Sequence, residues 1–365
     1  MKKNIVIVQR IIPHYRVEFY SKLSQKLHLQ DVKLYVLHSS SNIENNSIFC
    51  YIKPMINMYV SNLKERTLFS PSLYFMLKKI KPDLILSEGI SNLPNGLIIL
   101  LFCRFHRIKY GITGLGKILG KHKKSLLKNI FKGLANYFRN RSSFFISYSE
   151  TGISFYNQFS SNCISYYNSI INPHIKSYEI IKEKYHNMDP FNIIFVGRVE
   201  PQKKLDLLIN ALNMISSLDI ILHVIGEGSE LEICKSITTN DNIKIKWYGK
   251  VTNLNKKQEI YKNMHLGLMP GSGGLVIQEL QAYAIPVIAS YSDGTEIDLI
   301  KHINPELFIE KTGEEEIGKK ISFFIKSSYQ QKIAIARNAF NITKEKYNLD
   351  NMVRVTSNKI ISEIS

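Results

Sequence analysis

Ten short apolar runs, each separated from the next by a stretch of helical character, constrain this chain more than any other feature. The first five are NIVIV at 4–8, VKLYVL at 32–37, DLILS at 83–87, KYGIT at 109–113 and FFISYS at 144–149. The second five are IIFVG at 193–197, IILHVIG at 220–226, IKIKWYG at 243–249, LGLMP at 266–270 and PVIAS at 286–290. Near-continuous apolar strands that alternate with helices build parallel sheets covered on both faces. Two such series in 365 residues, too many for one ordinary core, predict two doubly wound α/β domains. A weak break at HNMDPFN, 186–192, puts the boundary between 188 and 189. Ligands of open parallel sheets bind beyond the carboxyl ends of the strands, so two such domains facing each other would enclose a central cleft.

Composition narrows the class. A 44% hydrophobic content is enough for folding without covalent staples. Cys50, Cys103, Cys163 and Cys234 form no C-x-x-C pair, which suggests neither a disulfide framework nor a zinc site and fits a reducing compartment. The start, MKKNIVIVQRIIPHYR, has too short an apolar run for a signal peptide and reads as a first strand. No apolar run has the length of a membrane span, and GLIILLFCRF at 96–105 reads as a core helix. A cytoplasmic protein is expected. The net charge of +18 invites anionic partners. It concentrates at 117–141, KILGKHKKSLLKNIFKGLANYFRNR, which has six lysines, two arginines and no acid. Leu126, Leu127, Ile130, Phe131, Leu134 and Phe138 recur there at helical spacing. Such a basic amphipathic helix suits either an anionic membrane surface or a core-packed helix with a solvated lysine face. Without interleaved aromatic signatures, no nucleic acid partner is expected.

Two stretches carry candidate chemistry. In FVGRVEPQKKLDLLINAL, 195–212, a strand ends at Gly197 with Arg198 at its edge, and Lys203 and Lys204 precede a helix. An arginine fork and a lysine point charge five residues apart suit a diphosphate; on this stretch alone they are equally an ordinary surface pair. In GLMPGSGGLVIQELQAYAIPVIAS, 267–290, a strand meets a glycine-rich turn and then a helix starting near Gly274 and Leu275. The amides of Gly273, Gly274 and Leu275 would make an anion site at that helix start. Glu279, four residues after Leu275 on the same face, could accept two ribose hydroxyls.

These two stretches, with GEGSELE at 226–232 between them, resemble the nucleotide-sugar domain of glycosyltransferase family 4, of GT-B fold, over about 190–345. QRIIPHYRVEFYSKL, 9–23, is similar to the P-x-Y-R-x-x-F opening of its bacterial surface-polysaccharide members. The resemblance implies an N-terminal acceptor domain at 1–188, a donor domain at 189–345, and a C-terminal segment, 346–365, whose helix near 351–364 packs back on the first domain. It implies retaining transfer of a sugar from a nucleoside diphosphate donor, a UDP- or GDP-sugar; the net charge and the 117–141 helix point to a polyprenyl-diphosphate-linked glycan as acceptor, at the inner face of a bacterial membrane. By the family's G-R-L-x-x-x-K-G motif, Arg198 and Lys203 hold the diphosphate; Lys204 stands where the motif has glycine. WYGKVT, with Val251, falls where the family's backbone reads the base, although its aromatics suit a core equally well. The family's E-x7-E pair has its second acid at Glu279, but Gly271 occupies the first position. Some polysaccharide members share this P-G-x-x-G-L variant.

Other candidates are Asp293 and Glu296 in SDGTEI, which match a family loop and equally suit helix capping. His14, Arg16, Glu88 and Thr113 follow or end strands of the first domain and are the expected acceptor contacts, with His14 also a candidate catalytic group. GITGLG at 111–116 is not a dinucleotide fingerprint, because its glycines are misplaced. No D-x-D pair ends a strand, so no cofactor or metal is expected; Arg198, Lys203 and the helix start would stabilise the leaving diphosphate. Three other functions remain open from sequence: a non-catalytic nucleotide-sugar-binding partner subunit, a GT-B nucleotide-sugar epimerase, and a lipid-surface protein.

Overall fold

The computed structural model describes residues 2–40, 50–56, 58–59, 68–89, 93–116, 126–169, 178–186 and 188–365. The chain divides into two compact units, one running to Ile170 and resuming at Leu349–Ser365, the other comprising Ile171–Asn348.

The first unit is built on seven parallel strands: β1 (Lys3–Ile11), β2 (Val32–Ser40), β3 (Cys50–Pro54), β6 (Leu84–Glu88), β7 (Lys109–Gly114), β8 (Phe144–Ser147) and β9 (Cys163–Ser165). They lie in the order β3-β2-β1-β6-β7-β8-β9. A separate antiparallel ribbon pairs β4 (Met58–Tyr59) with β5 (Leu68–Phe69). Alternation along β1 sends its side chains to two cores. Ile5 and Ile7 meet Phe19, Leu23 and Leu27 of the helix Val17–His28, and Met352, Val353 and Ile360 of the helix Leu349–Ile364. Val6 and Val8 meet Leu73, Ile99, Phe102 and Phe138 on the opposite face. The last helix is therefore part of this unit's core. Lys22 also donates to Asp350 of that helix at 2.8 Å.

The second unit contains β10 (Phe191–Val196), β11 (Ile220–Ile225), β12 (Ile243–Trp247), β13 (Leu266–Met269), β14 (Val287–Ser290) and β15 (Phe308–Ile309). Their order is β12-β11-β10-β13-β14-β15, and every pairing is parallel. The helix Tyr178–His186, placed with the first domain by sequence, lies in this second unit. Burial explains the placement: Lys184 donates to Tyr283 O at 3.0 Å, and Tyr185 is buried with its hydroxyl on His265 O at 2.9 Å.

Both sheets reverse their winding beside a central strand. In the first unit β1 lies between β2 and β6, and in the second β10 lies between β11 and β13. The loops leaving β1 and β6, and those leaving β10 and β13, therefore diverge at their strand ends and open a crevice. His14, Arg198, Lys203, Gly273 and Gly274 lie on these loops, and Glu88 ends β6.

Candidate functional site

In the second unit the two motif loops are joined side by side. Ser272 N donates to Gln202 O at 3.3 Å, and the Lys203 ammonium donates to Ser272 O. A β-carbon added to Gly271 would lie 2.0 Å from Gln202 O and 2.7 Å from the Lys203 backbone. Glycine is thus what lets the turn after β13 approach the turn after β10. Burial, then the charge of Arg198, lowers the Lys203 pKa from its ordinary value, while Glu296 and Asp293 oppose the shift. Arg198 is exposed, and its side chain has no hydrogen-bond or ion-pair partner among the described residues. An anion between these two cations would relieve their repulsion.

Gly274 sits just before the helix Leu275–Gln281 with φ +62 and ψ −144, a conformation that favours glycine. The backbone N–H groups of Gly273, Gly274 and Leu275 donate to nothing among the described residues, as expected at a helix start. Beside this turn, Gly197, Arg198, Gly226, Glu227, Val251 and Lys257 contribute to an open pocket of about 360 Å³. Arg198, Lys203, Gly197, Gly273, Gly274, Leu275 and Val251 are accordingly gathered at one end of β10, β11 and β13.

Glu279 is buried, as its position on the helix suggests, but its carboxylate is already engaged. Oε1 accepts from Lys257 Nζ at 2.7 Å and from the Tyr261 hydroxyl at 2.9 Å. Lys257 and Tyr261 lie four apart on the helix Leu254–Tyr261, so both reach the same acid. Motif reading missed both residues, because nothing in the sequence ties their helix to Glu279. Burial, then Glu279, raises the Tyr261 pKa, so this phenol stays a donor. Because Lys257 also lines the pocket, it connects Glu279 to that space.

Asp293 and Glu296 prove to be organisers of their own loop. Asp293 Oδ1 accepts from Thr295 N at 3.0 Å and from its hydroxyl at 2.6 Å, closing a local turn; the following helix, Ile297–Lys301, has no side-chain cap. Glu296 is fully buried, and its Oε2 accepts from the amides of Asp293 and Gly294, each at 3.1 Å. Its Oε1 has no hydrogen-bond partner among the described residues. Burial, then Asp293, pushes the Glu296 pKa up to about 7.

In the first unit, His14 is exposed in the turn after β1. Arg16 is turned inward rather than standing free for an acceptor. Its guanidinium donates to Asn168 Oδ1 and, at 3.3 Å, to Ser169 O and Met352 Sδ, and it lies over the Tyr15 and Phe19 rings. It latches the turn after β1 to the last helix, and it also lines a small cavity with Gln9 and Thr113. Glu88 accepts from Arg10 N at 2.9 Å, tying the ends of β1 and β6 together. Thr113 is buried beside Glu88 in the β6–β7 register.

Two parallel, Rossmann-like units of this kind define the GT-B fold. Residues 177–341, a little under half the chain and wholly within the second unit, match the family described as Glycosyl transferases group 1. An uncharacterized 41.2 kDa protein from the cps region of Klebsiella pneumoniae is 33% identical over 115 residues, 31% of this chain. That match spans only 29% of the relative's length. Among solved structures, Anabaena Alr3699/HepE in complex with UDP has a TM-score of 0.70 and 17% identity, covering 98% of this chain and 100% of that one. The lipopolysaccharide outer core galactosyltransferase WaaB, in its apo form, has a TM-score of 0.69 and 15% identity, covering 99% of both chains. At these identities the likeness is one of fold.

Among the described residues, no helix is long and apolar enough to cross a membrane. Nor do those residues contain a group of three or more His, Cys, Asp or Glu able to hold a metal ion.

Proposed function

We propose that this chain is a retaining glycosyltransferase of the family 4 type. It would transfer a sugar from a nucleoside diphosphate donor to a lipid-linked glycan in bacterial surface polysaccharide synthesis. The observation that carries this proposal is the joining of the Arg198–Lys203 loop to the Gly271–Leu275 turn at the β10/β13 winding reversal. Two cations and a row of unpaired amides there suit a diphosphate whose charge grows as the sugar departs. The matched group 1 region contains every one of these residues. The structure of Anabaena Alr3699/HepE in complex with UDP-glucose supports a uridine donor for this fold, and the cps-region relative supports a polysaccharide pathway.

In this mechanism Arg198 and Lys203 neutralise the leaving diphosphate. The Gly273–Leu275 amides take a phosphate oxygen, and Val251 lies where the base would be read. Glu279, held by Lys257 and Tyr261, presents its remaining acceptor capacity to the ribose. His14, Glu88 and Thr113, at the strand ends of the first unit, are the proposed acceptor contacts. With no carboxylate pair of nucleophile type assigned, attack on the same face is proposed, with the leaving phosphate receiving the acceptor proton.

A thermal-shift panel with UDP, GDP, ADP and TDP identifies the base, since ligand at 100 times its dissociation constant adds about 2.7 kcal/mol. NMR of the product made from the matching nucleotide-sugar then reads its anomeric configuration. Retention is expected and inversion would refute the mechanism. Donor binding without any transfer would instead indicate a partner subunit, and donor turnover without acceptor an epimerase.

A further inference from the structure

In the first unit the helical turn after β1 carries Arg16 into the interior, where it is 8% exposed. A guanidinium keeps its charge when buried, so it normally has an acid beside it. Arg16 has no carboxylate partner among the described residues. Its acceptors are Asn168 Oδ1, Ser169 O and Met352 Sδ, all uncharged. The rings of Tyr15 and Phe19 lie against it but supply no net charge. Part of its donor fork, and all of its charge, is left without a partner of opposite sign.

That capacity faces a cavity of about 30 Å³. Gln9, near the end of β1, and Thr113, near the end of β7, line it with Arg16 and with Tyr148, which directly follows β8. Thr113 is 5% exposed, yet its hydroxyl has no hydrogen-bond partner among the described residues, and neither has the Gln9 side-chain amide. Buried polar groups are hydrogen-bonded as a rule, so this concentration of unused donors and acceptors marks space shaped for a polar occupant. Arg16 and Thr113 are buried at its floor, and the half-buried Gln9 and Tyr148 form its rim. The cavity therefore opens at the strand ends where the first sheet reverses its winding. No Asp or Glu among the described residues lines it; Glu88 stands beside Thr113 in the β6–β7 register, outside the lining.

We propose that this cavity binds a carboxylate group. A planar carboxylate matches the guanidinium fork, and its remaining lone pairs can accept from the Thr113 hydroxyl and the Gln9 amide. Size separates the candidates. A water-sized group needs about 10–15 Å³ of such space, so the cavity takes about two oxygens, whereas a phosphate brings four. A neutral hydroxyl would fit but would leave the Arg16 charge uncompensated. The carboxylate belongs either to a uronic acid residue of the glycan acceptor or to a free small acid. The first source rests on the glycosyltransferase reading and makes Arg16 a specificity residue, with Glu88 on the same side of the crevice to accept from a hydroxyl of that sugar.

The test is saturation-transfer NMR on the full chain with the methyl glycosides of glucuronic and galacturonic acid, those of glucose and galactose, and acetate. At least one uronide is expected to bind about tenfold or more tightly than its neutral counterpart, the equivalent of one charge-assisted contact. Arg16→Ala should abolish that preference. Because this variant also frees the last helix, Thr113→Val and Gln9→Leu test the cavity independently, and each should weaken uronide binding about fivefold. Thr113→Val removes a buried hydroxyl that has no partner, so it should melt no lower than wild type. Uronides that bind no tighter than the neutral glycosides, variants that bind them as wild type does, or binding of no probe at all would overturn the proposal. Acetate as tight as the better uronide would uphold the carboxylate site and assign it to a free small acid. Nucleotide response without a carboxylate preference defeats only the cavity proposal; carboxylate binding without nucleotide response defeats only the transferase proposal.

Discussion

Gly271 occupies the position where the resembling family carries an acid, and the fold explains why no side chain stands there. An added β-carbon would lie 2.0 Å from Gln202 O, whereas ordinary contact begins at 3.4 Å. One loop would have to retreat by about 1.4 Å, and both partners are backbone rather than a flexible side-chain end. That retreat would strain the Ser272–Gln202 and Lys203–Ser272 bonds that join the two loops. Overpacking of this kind costs about 1–3 kcal/mol, so Gly271→Ala is expected to lose about 2 kcal/mol. For a unit of this size that is roughly 4–8 °C in melting temperature. Lys203 would move with the loop, so nucleotide affinity should fall at least tenfold. Gly271→Glu, which restores the family's acid, should do worse on both counts. Melting curves with and without nucleoside diphosphate test this. A Gly271→Glu protein as stable as wild type, with equal or tighter nucleotide binding, would refute the packing explanation.

Removing Glu279 strands Lys257 and Tyr261, so Glu279→Ala should cost about 3 kcal/mol in urea unfolding, against about 1 kcal/mol for Tyr261→Phe. A loss below about 0.5 kcal/mol for Glu279→Ala would show that this cluster is not structural. Glu296 has a folded-state pKa of about 7 against an ordinary 4.5. Its contribution to stability is therefore complete below the ordinary value and is lost as pH rises through about 7. Between about pH 5.5 and pH 8 this group should remove on the order of 2 kcal/mol, and Glu296→Gln should flatten that slope; an unchanged pH profile in the variant would contradict it. Lys204 holds φ +55 where the family motif has glycine. Lys204→Gly should stay within about 1 kcal/mol of wild type, because relief of left-handed strain offsets the added chain entropy. Lys204→Val should be clearly destabilised in the same unfolding assay.

The central strands were legible because they are buried on both faces. The run NIVIV lies inside β1, and IIFVG covers the end of β10 and the glycine beyond it. Short edge strands were not: β3, β9 and β15 have five, three and two residues, too few for an apolar run to stand out. Arg198, Lys203 and the glycine turn could be read from local spacing, since each follows a strand end. The clamp on Glu279 could not, because Lys257 and Tyr261 come from a helix 18–22 residues away in sequence. The inward turn of Arg16 depends on Asn168 and Met352, which only the folded unit brings near. The run at 96–105 is a core helix on one side only: Ile99 and Phe102 are buried while Leu101 and Phe105 are exposed, and an apolar run has no polar face to mark its outer side. More than half of the basic stretch at 117–141 lies within Leu126–Asn140, where the helical spacing holds; 117–125 lies outside the described residues.

The central claim is a diphosphate site at the β10/β13 winding reversal, and Arg198 tests it most directly, since its exposed side chain has, among the described residues, no hydrogen-bond or ion-pair partner whose loss would complicate the result. Calorimetric titration of nucleoside diphosphate into wild type and Arg198→Ala should give equal melting temperatures. The variant's dissociation constant should rise about 10- to 150-fold, the equivalent of one charge-assisted bond of about 1.5–3 kcal/mol. Equal affinity in both proteins, or heat from no nucleoside diphosphate in either, would contradict the assignment of the site.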